Sequence, residues 1–156
     1  MPFKNFRMWR KRLPHWRADD ETYYVTFRHR RPLDSAERLL LFRALLNPDG
    51  RRWNILILCV LPENTEILFT VTEKSPGVPY ELSDIVEKAK DKAGRKIIKA
   101  TGERFTPFYT ESYDRIVRDE AELDERWQAI LDAPVSEALC ESPEDYNELW
   151  VVDAPR

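Results

Sequence analysis

Glycine, cysteine and histidine are scarce in this chain of 156 residues: 4 Gly, 2 Cys and 2 His. Four isolated glycines cannot build the Gly-rich phosphate loop of a nucleotide-binding P-loop or a Rossmann fingerprint. Cys59 and Cys140 lie far apart, and no CxxC pair exists. A zinc knuckle and a disulfide framework are therefore not expected. Cys59 reads as a buried thiol in an apolar run, and the expected compartment is a reducing cytoplasm. His15 and His29 do not sit at metal-ligand spacing. GxSxG and HExxH patterns are absent as well, which removes the common hydrolase signatures. The longest apolar run, Trp53 to Leu61, contains Asn54 and falls far short of the ~20 residues of a membrane span. Met1 to Arg17 carries charge without an apolar block behind it, unlike a secretory signal.

What is present suits one soluble globular domain over residues 1–156. Hydrophobic residues make up 42% and charged residues 34%, enough to build a core at this length. The net charge of −3 conceals an asymmetry. Residues 1–60 hold 13 Lys/Arg against 6 Asp/Glu, and residues 61–156 hold 12 against 22. The first part can attract phosphates and the second repels them. An equally simple reading makes both parts ordinary solvated faces.

Residues 1–20 form a basic arm with interleaved aromatics, and residues 141–156 an acidic tail. Between them, Thr22 to His29 alternates like a strand. Asp34 or Ser35 can cap a helix with Leu39, Leu40, Phe42 and Leu46 as its apolar stripe. Asn47 to Gly50 is a stop and turn signal. Trp53 to Val60 and Thr65 to Thr72 read as paired strands, with Lys74 to Pro79 as a loop. A helix begins at Ser83, with Ile85, Val86, Ala89, Ala93 and Ile97 facing inward. Its other face carries Lys88, Lys90, Lys92, Arg95, Lys96 and Lys99. Gly102 stops it. Phe105 to Val117 reads as strand or extended chain. Asp119 to Leu131 reads as an acidic helix that Pro134 ends. Trp150 to Val152 reads as an edge strand or docking segment. Strand and helix alternating around a hairpin predict an α+β fold: a ferredoxin-like antiparallel sheet with helices on one side.

Four segments, in order, resemble the REP-associated branch of the single-tyrosine HUH transposases. Tyr23 to Arg31 (YYVTFRHRR) is similar to the family's opening strand, hVTfR. Cys59 to Leu68 (CVLPENTEIL) is similar to vMPNHvHll, where two histidines flank a hydrophobic residue. Ser112 to Glu120 (SYDRIVRDE) is close to yydrvIRde. Ile130 to Val135 (ILDAPV) is similar to YIxxNPV. Together they cover roughly residues 20–140.

The resemblance implies a particular chemistry. The family's two histidines and a further polar group hold a divalent cation that polarises the scissile phosphate. A tyrosine on a later helix then attacks and becomes covalently linked to DNA. In this chain Asn64 and Glu66 stand at the histidine positions, Ala129 at the tyrosine and Ala133 at the Asn of NPV. Ala129 has no nucleophile. Oxygen groups such as Asn64 and Glu66 can contact Mg²⁺ but do not reproduce an imidazole site. The expectation is a member without family-type cleavage and without a metal or other cofactor. Residual Mg²⁺- or Mn²⁺-dependent nicking through Glu66 is the alternative to be tested. Tyr109 and Tyr113 precede the catalytic helix and are poor candidates for a shifted nucleophile.

DNA binding can outlive cleavage. The resemblance implies hairpin or single-stranded DNA as partner. The candidate contacts are Arg7, Arg10, Lys11, Arg12, Arg17, Arg28, Arg30 and Arg31, with Trp9 and Trp16 as stacking platforms. The arm's other reading is that Trp9 and Trp16 dock into the core. The Lys-rich helix face is a second candidate, or a solvated surface. His29 reads as a surface group or a phosphate contact. Against DNA stands the acidic end, with 14 Asp/Glu against 4 Arg in residues 111–156. It favours a rival: a protein-interaction scaffold or homodimer anchored by Trp127, Trp150 and the segment from Ala133 to Leu139.

Overall fold

The computed structural model describes residues 22–152. The arm and its candidates Arg7, Trp9, Arg10, Lys11, Arg12, Trp16 and Arg17 lie outside the described residues. The elements run β1 (Thr22–Arg28), α1 (Ser35–Leu46), β2 (Trp53–Val60), β3 (Asn64–Val71), β4 (Glu73–Ser75), β5 (Val78–Pro79), α2 (Leu82–Thr101), β6 (Tyr113–Ile116), α3 (Glu120–Ser136), a 3₁₀ turn (Pro143–Asp145) and β7 (Leu149–Val151). The main sheet has the order β6-β1-β3-β2-β7 and is antiparallel throughout. Its first four strands have the ferredoxin-like order, and β7 extends the β2 edge.

Local chemistry explains the boundaries. Asp34 and Glu37 form a capping box: the Glu37 N–H donates to Asp34 Oδ1 at 2.9 Å, and the Asp34 N–H donates to Glu37 Oε1 at 3.0 Å. Gly102 closes α2 at φ 75°, where a side chain would be strained, and its N–H donates to Ile98 O. Asp119 caps α3 by accepting from the Glu122 N–H at 2.8 Å.

Both faces of the sheet are covered, which corrects the one-sided expectation. α1 and α2 bury Leu41, Leu45, Ile85, Ala89 and Ile97 against Val25, Phe27, Leu58, Ile67 and Phe69. α3 buries Leu123, Trp127, Ile130 and Leu131 against Tyr24, Ile57, Cys59 and Leu68 on the other face. β2 serves both layers by the ordinary alternation of a strand, and an irregularity between Ile55 and Ile57 switches its phase, so that Trp53 and Ile55 face one layer and Ile57 and Cys59 the other.

Several expectations change in detail. The buried apolar stripe of α1 is Leu41, Ala44 and Leu45, while Leu39, Leu40, Phe42 and Leu46 are only half-buried. Residues 73–79 form a small hairpin rather than a loop. The strand expected within Phe105 to Val117 is short, covering Tyr113–Ile116 alone. Pro134 does not end α3, which runs on to Ser136. One missing N–H near a helix end is a small loss, because the last turn is only partly bonded anyway. Residues 141–152 are not a free acidic tail: Tyr146, Leu149 and Val151 are buried, and the Tyr146 hydroxyl donates to Val60 O at 2.7 Å. Trp127 is fully buried and so is not available as an anchor for a partner, while Trp150 is half-buried against the core. No helix among the described residues is long and apolar enough to cross a membrane.

Candidate functional site

Residues far apart in sequence meet where β3 passes under α3. Asn64 and Glu66 lie two apart on β3 and so share a face. Together with Ala129 and Ala133 of α3 they line one open groove of about 700 Å³. Leu61, Gln128 and Ser136 complete part of its wall, and the rest is acidic: Asp124, Glu125, Asp132 and Glu137. No lysine or arginine lines it.

Glu66 in the groove wall is held by a neighbouring phenol. The Tyr24 hydroxyl donates to Glu66 Oε1 at 3.0 Å. Burial, then the Glu66 charge, push the Tyr24 phenol up to about 12, so it stays protonated. The Glu137 carboxyl is raised as well, by burial first and then by Glu66 and Glu63. Among the described residues, no three His, Cys, Asp or Glu side chains come together in a way that could hold a metal ion.

The basic candidates separate into two kinds. Arg28 and Arg30 are exposed, and neither pairs with a carboxylate among the described residues. Arg31 is different. Its guanidinium bridges Glu37 on α1 and Glu103 just beyond α2. This pairing holds the arginine far above its usual range and pulls the Glu37 carboxyl down. Arg31 thus acts as a clamp between helices, with its fork already occupied.

His29 is neither a surface group nor a free phosphate contact. It is buried between Phe27 and Phe108. Nδ1 lies 2.9 Å from Pro62 O, and Nε2 lies 2.9 Å from Thr65 Oγ1. A carbonyl can only accept, so Nδ1 carries the proton and Nε2 accepts from the threonine hydroxyl. Desolvation lowers its pKa to about 4.

The cationic face of α2 is real but lacks one member. Lys88, Lys92, Arg95, Lys96 and Lys99 are exposed, whereas Lys90 is buried. Lys90 Nζ donates to Tyr109 O at 3.1 Å, Glu111 O at 3.0 Å and Ser112 Oγ at 2.6 Å. It also sits 4.3 Å from the centroid of the Phe27 ring. Desolvation lowers its pKa to about 8. The sequence offers one signal for this role: Lys90 lies three residues before Ala93 and seven before Ile97, a spacing that puts it on the inward stripe.

Comparison with known proteins places the fold. No family model matches the sequence, and no curated protein matches it. Among solved structures, the chain is similar to a REP-associated tyrosine transposase bound to a REP hairpin. The TM-score is 0.63 at 17% identity, covering 86% of this chain and 81% of that one. It is also similar to a Deinococcus radiodurans R1 protein described as a transposase, with a TM-score of 0.49 at 13% identity, covering 75% of this chain and 94% of that one. The architecture of the described residues is transposase-like: an antiparallel five-stranded sheet with three α-helices.

Proposed function

We propose that this protein binds hairpin or single-stranded DNA and does not cut it by HUH chemistry. The observation that carries the reading is the groove. Residues 64, 66 and 129, matched to the family's metal ligands and nucleophile on motif grounds alone, line one groove in a transposase-like fold. The groove is where that chemistry would take place, yet its side chains are an amide, a carboxylate and a methyl group. The transposase of similar fold is bound to a REP hairpin, which supports hairpin DNA as the ligand here. Exposed Arg28 and Arg30 beside the groove supply phosphate contacts.

The test is a mobility-shift and cleavage assay on a labelled hairpin, with and without Mn²⁺, at two salt concentrations. A salt-sensitive shift without products is expected. Products that disappear in Glu66→Ala would replace this reading with metal-dependent nicking. No shift on hairpin, single-stranded or duplex DNA would sink it.

A second reading has one observation behind it. The groove wall carries five carboxylates and no cation, which suits a basic protein segment better than DNA. A protein-interaction scaffold predicts that reversing the charge of Arg28 and Arg30 leaves cellular function intact. DNA binding predicts its loss.

A further inference from the structure

We infer that an unpaired DNA strand lies along the β1–β6 edge of the sheet, outside the groove, with its bases on Tyr109 and Tyr113 and its phosphates on Arg28 and Arg30. The inference rests on the DNA-binding reading and gives it a place and a strand type.

Exposed aromatics concentrate there. Phe105 is 62% exposed, Tyr109 46% and Tyr113 57%. All three belong to the segment that leads into β6 along β1. A cluster of solvent-facing rings on one segment marks a contact surface rather than random exposure. Two of the rings already carry cations: Arg30 Cζ lies 4.8 Å from the centroid of Tyr109, and Arg104 Cζ lies 5.3 Å from that of Phe105.

Register puts these groups on one side. Tyr113 pairs with Thr26 on β1, and Thr26 pairs with Glu66 on β3. Arg28 follows Thr26 by two residues and pairs with Asn64, so Arg28, Thr26 and Tyr113 share the face that also bears α3. Asp114 pairs with Val25 and points to the opposite face. The other exposed acid on this segment is Glu111. One face of the sheet is therefore divided: its β2–β3 half holds the acidic groove, and its β1–β6 half is aromatic and cationic. Phosphate repelled by the first half has the second available.

The platform is held in place before any ligand arrives. Lys90 pins the backbone of Tyr109 and Glu111 from below, and the Arg30 N–H donates to Pro107 O at 2.7 Å. Preordered rings reduce the entropy lost on binding. Rings stack on the π-face of any unpaired base, while a duplex hides those faces.

The test is fluorescence anisotropy with labelled oligo-dT, a duplex of equal length and the hairpin. Wild type is compared with Tyr109→Ala/Tyr113→Ala, Tyr109→Phe/Tyr113→Phe and Arg28→Gln/Arg30→Gln. The alanine pair is expected to weaken oligo-dT binding about tenfold or more, with the salt dependence unchanged. The phenylalanine pair, which keeps both rings, is expected to bind like wild type. The arginine pair is expected to weaken binding and to flatten the log–log salt slope by about 1.4. Wild-type binding to the hairpin or the duplex but not to oligo-dT overturns the inference and leaves DNA binding standing. So does unchanged affinity in the alanine pair. Absence of binding to all three probes by wild type overturns both.

Discussion

Gly94 and Thr106 meet so closely that a Cβ on Gly94 would stand 2.8 Å from Thr106 Cγ2 and 3.0 Å from Thr106 Cβ. The glycine lets the segment carrying Phe105 and Phe108 lie flat on α2. Helix propensity alone favours alanine over glycine by about 1 kcal/mol. The contact opposes this, since overpacking costs about 1–3 kcal/mol. Gly94→Ala is therefore expected to lower the urea midpoint. Thr106→Ser in the same chain removes the Cγ2 contact, keeps the hydroxyl that bonds Phe108, and is expected to recover part of the loss. An unchanged or raised midpoint for Gly94→Ala alone would show that the segment yields freely.

His29 gives stability a pH dependence of defined sign. Its folded pKa, about 4, lies below the ordinary value of 6.5 because burial disfavours the charged ring. Between those values the unfolded chain binds more protons, so stability rises with pH across the window and is lost as pH falls through it. The full displacement corresponds to a change on the order of 3 kcal/mol. Urea unfolding of wild type and His29→Leu at pH 7 and pH 5 checks this. The variant is expected to be less stable at pH 7, because Thr65 and Pro62 lose a partner, and to show a smaller drop on acidification. An equal drop in both proteins would place the titration elsewhere.

Much of this fold could be read in the sequence where one periodicity dominated. The alternation of Thr22 to Arg28, the stripe from Ile85 to Ile97 and the Asp34 and Gly102 caps all appear where expected. α1 was harder, because Leu39 to Phe42 are four consecutive apolar residues and leave the phase of the helix open. Tertiary packing decides it, burying Leu41 and Leu45 and placing Glu37 under the Arg31 clamp. The nearly unbroken apolar run of β2 was itself a sign of cover on both faces. Grouping Asn64 and Glu66 with Ala129 came from motif resemblance, and the three residues line one groove. The burial of Lys90 and His29 was hidden, since each depends on carbonyls from distant loops that no local pattern announces.

Arg31 and its neighbours Arg28 and Arg30 are expected to behave oppositely. Arg31→Gln abandons two carboxylates, one of them on the nearly buried side chain of Glu37. A loss of about 1–3 kcal/mol in stability is expected, with DNA affinity within twofold of wild type once the protein is folded. Arg28→Gln and Arg30→Gln leave no buried partner, and are expected to lower affinity while the unfolding midpoint stays unchanged. Chemical denaturation and anisotropy on the same three proteins separate the roles. A loss of affinity in Arg31→Gln matching that of Arg30→Gln would mean the clamp opens to meet phosphate.

Glu137 makes the groove's charge testable from both sides. It stands at the C-terminal end of α3, where its N–H donates to Ala133 O, and a negative charge there opposes the helix dipole. Its carboxyl faces Glu66 and Glu63, and its raised pKa means the folded protein holds that proton more tightly than the unfolded chain. Its contribution to stability is therefore greatest at low pH and falls as pH rises through the carboxylate range. Glu137→Gln is expected to stabilise the protein at pH 7 by about 0.3–1 kcal/mol, and the gain is expected to shrink toward pH 4. The same substitution removes one phosphate-repelling charge from the groove on the same sheet face, so DNA affinity at low salt is expected to rise about twofold or more and to converge with wild type at high salt. If stability rises while affinity is unmoved at every salt concentration, the strand passes farther from the groove than the shared sheet face requires. If affinity falls, the groove itself takes part in holding the ligand.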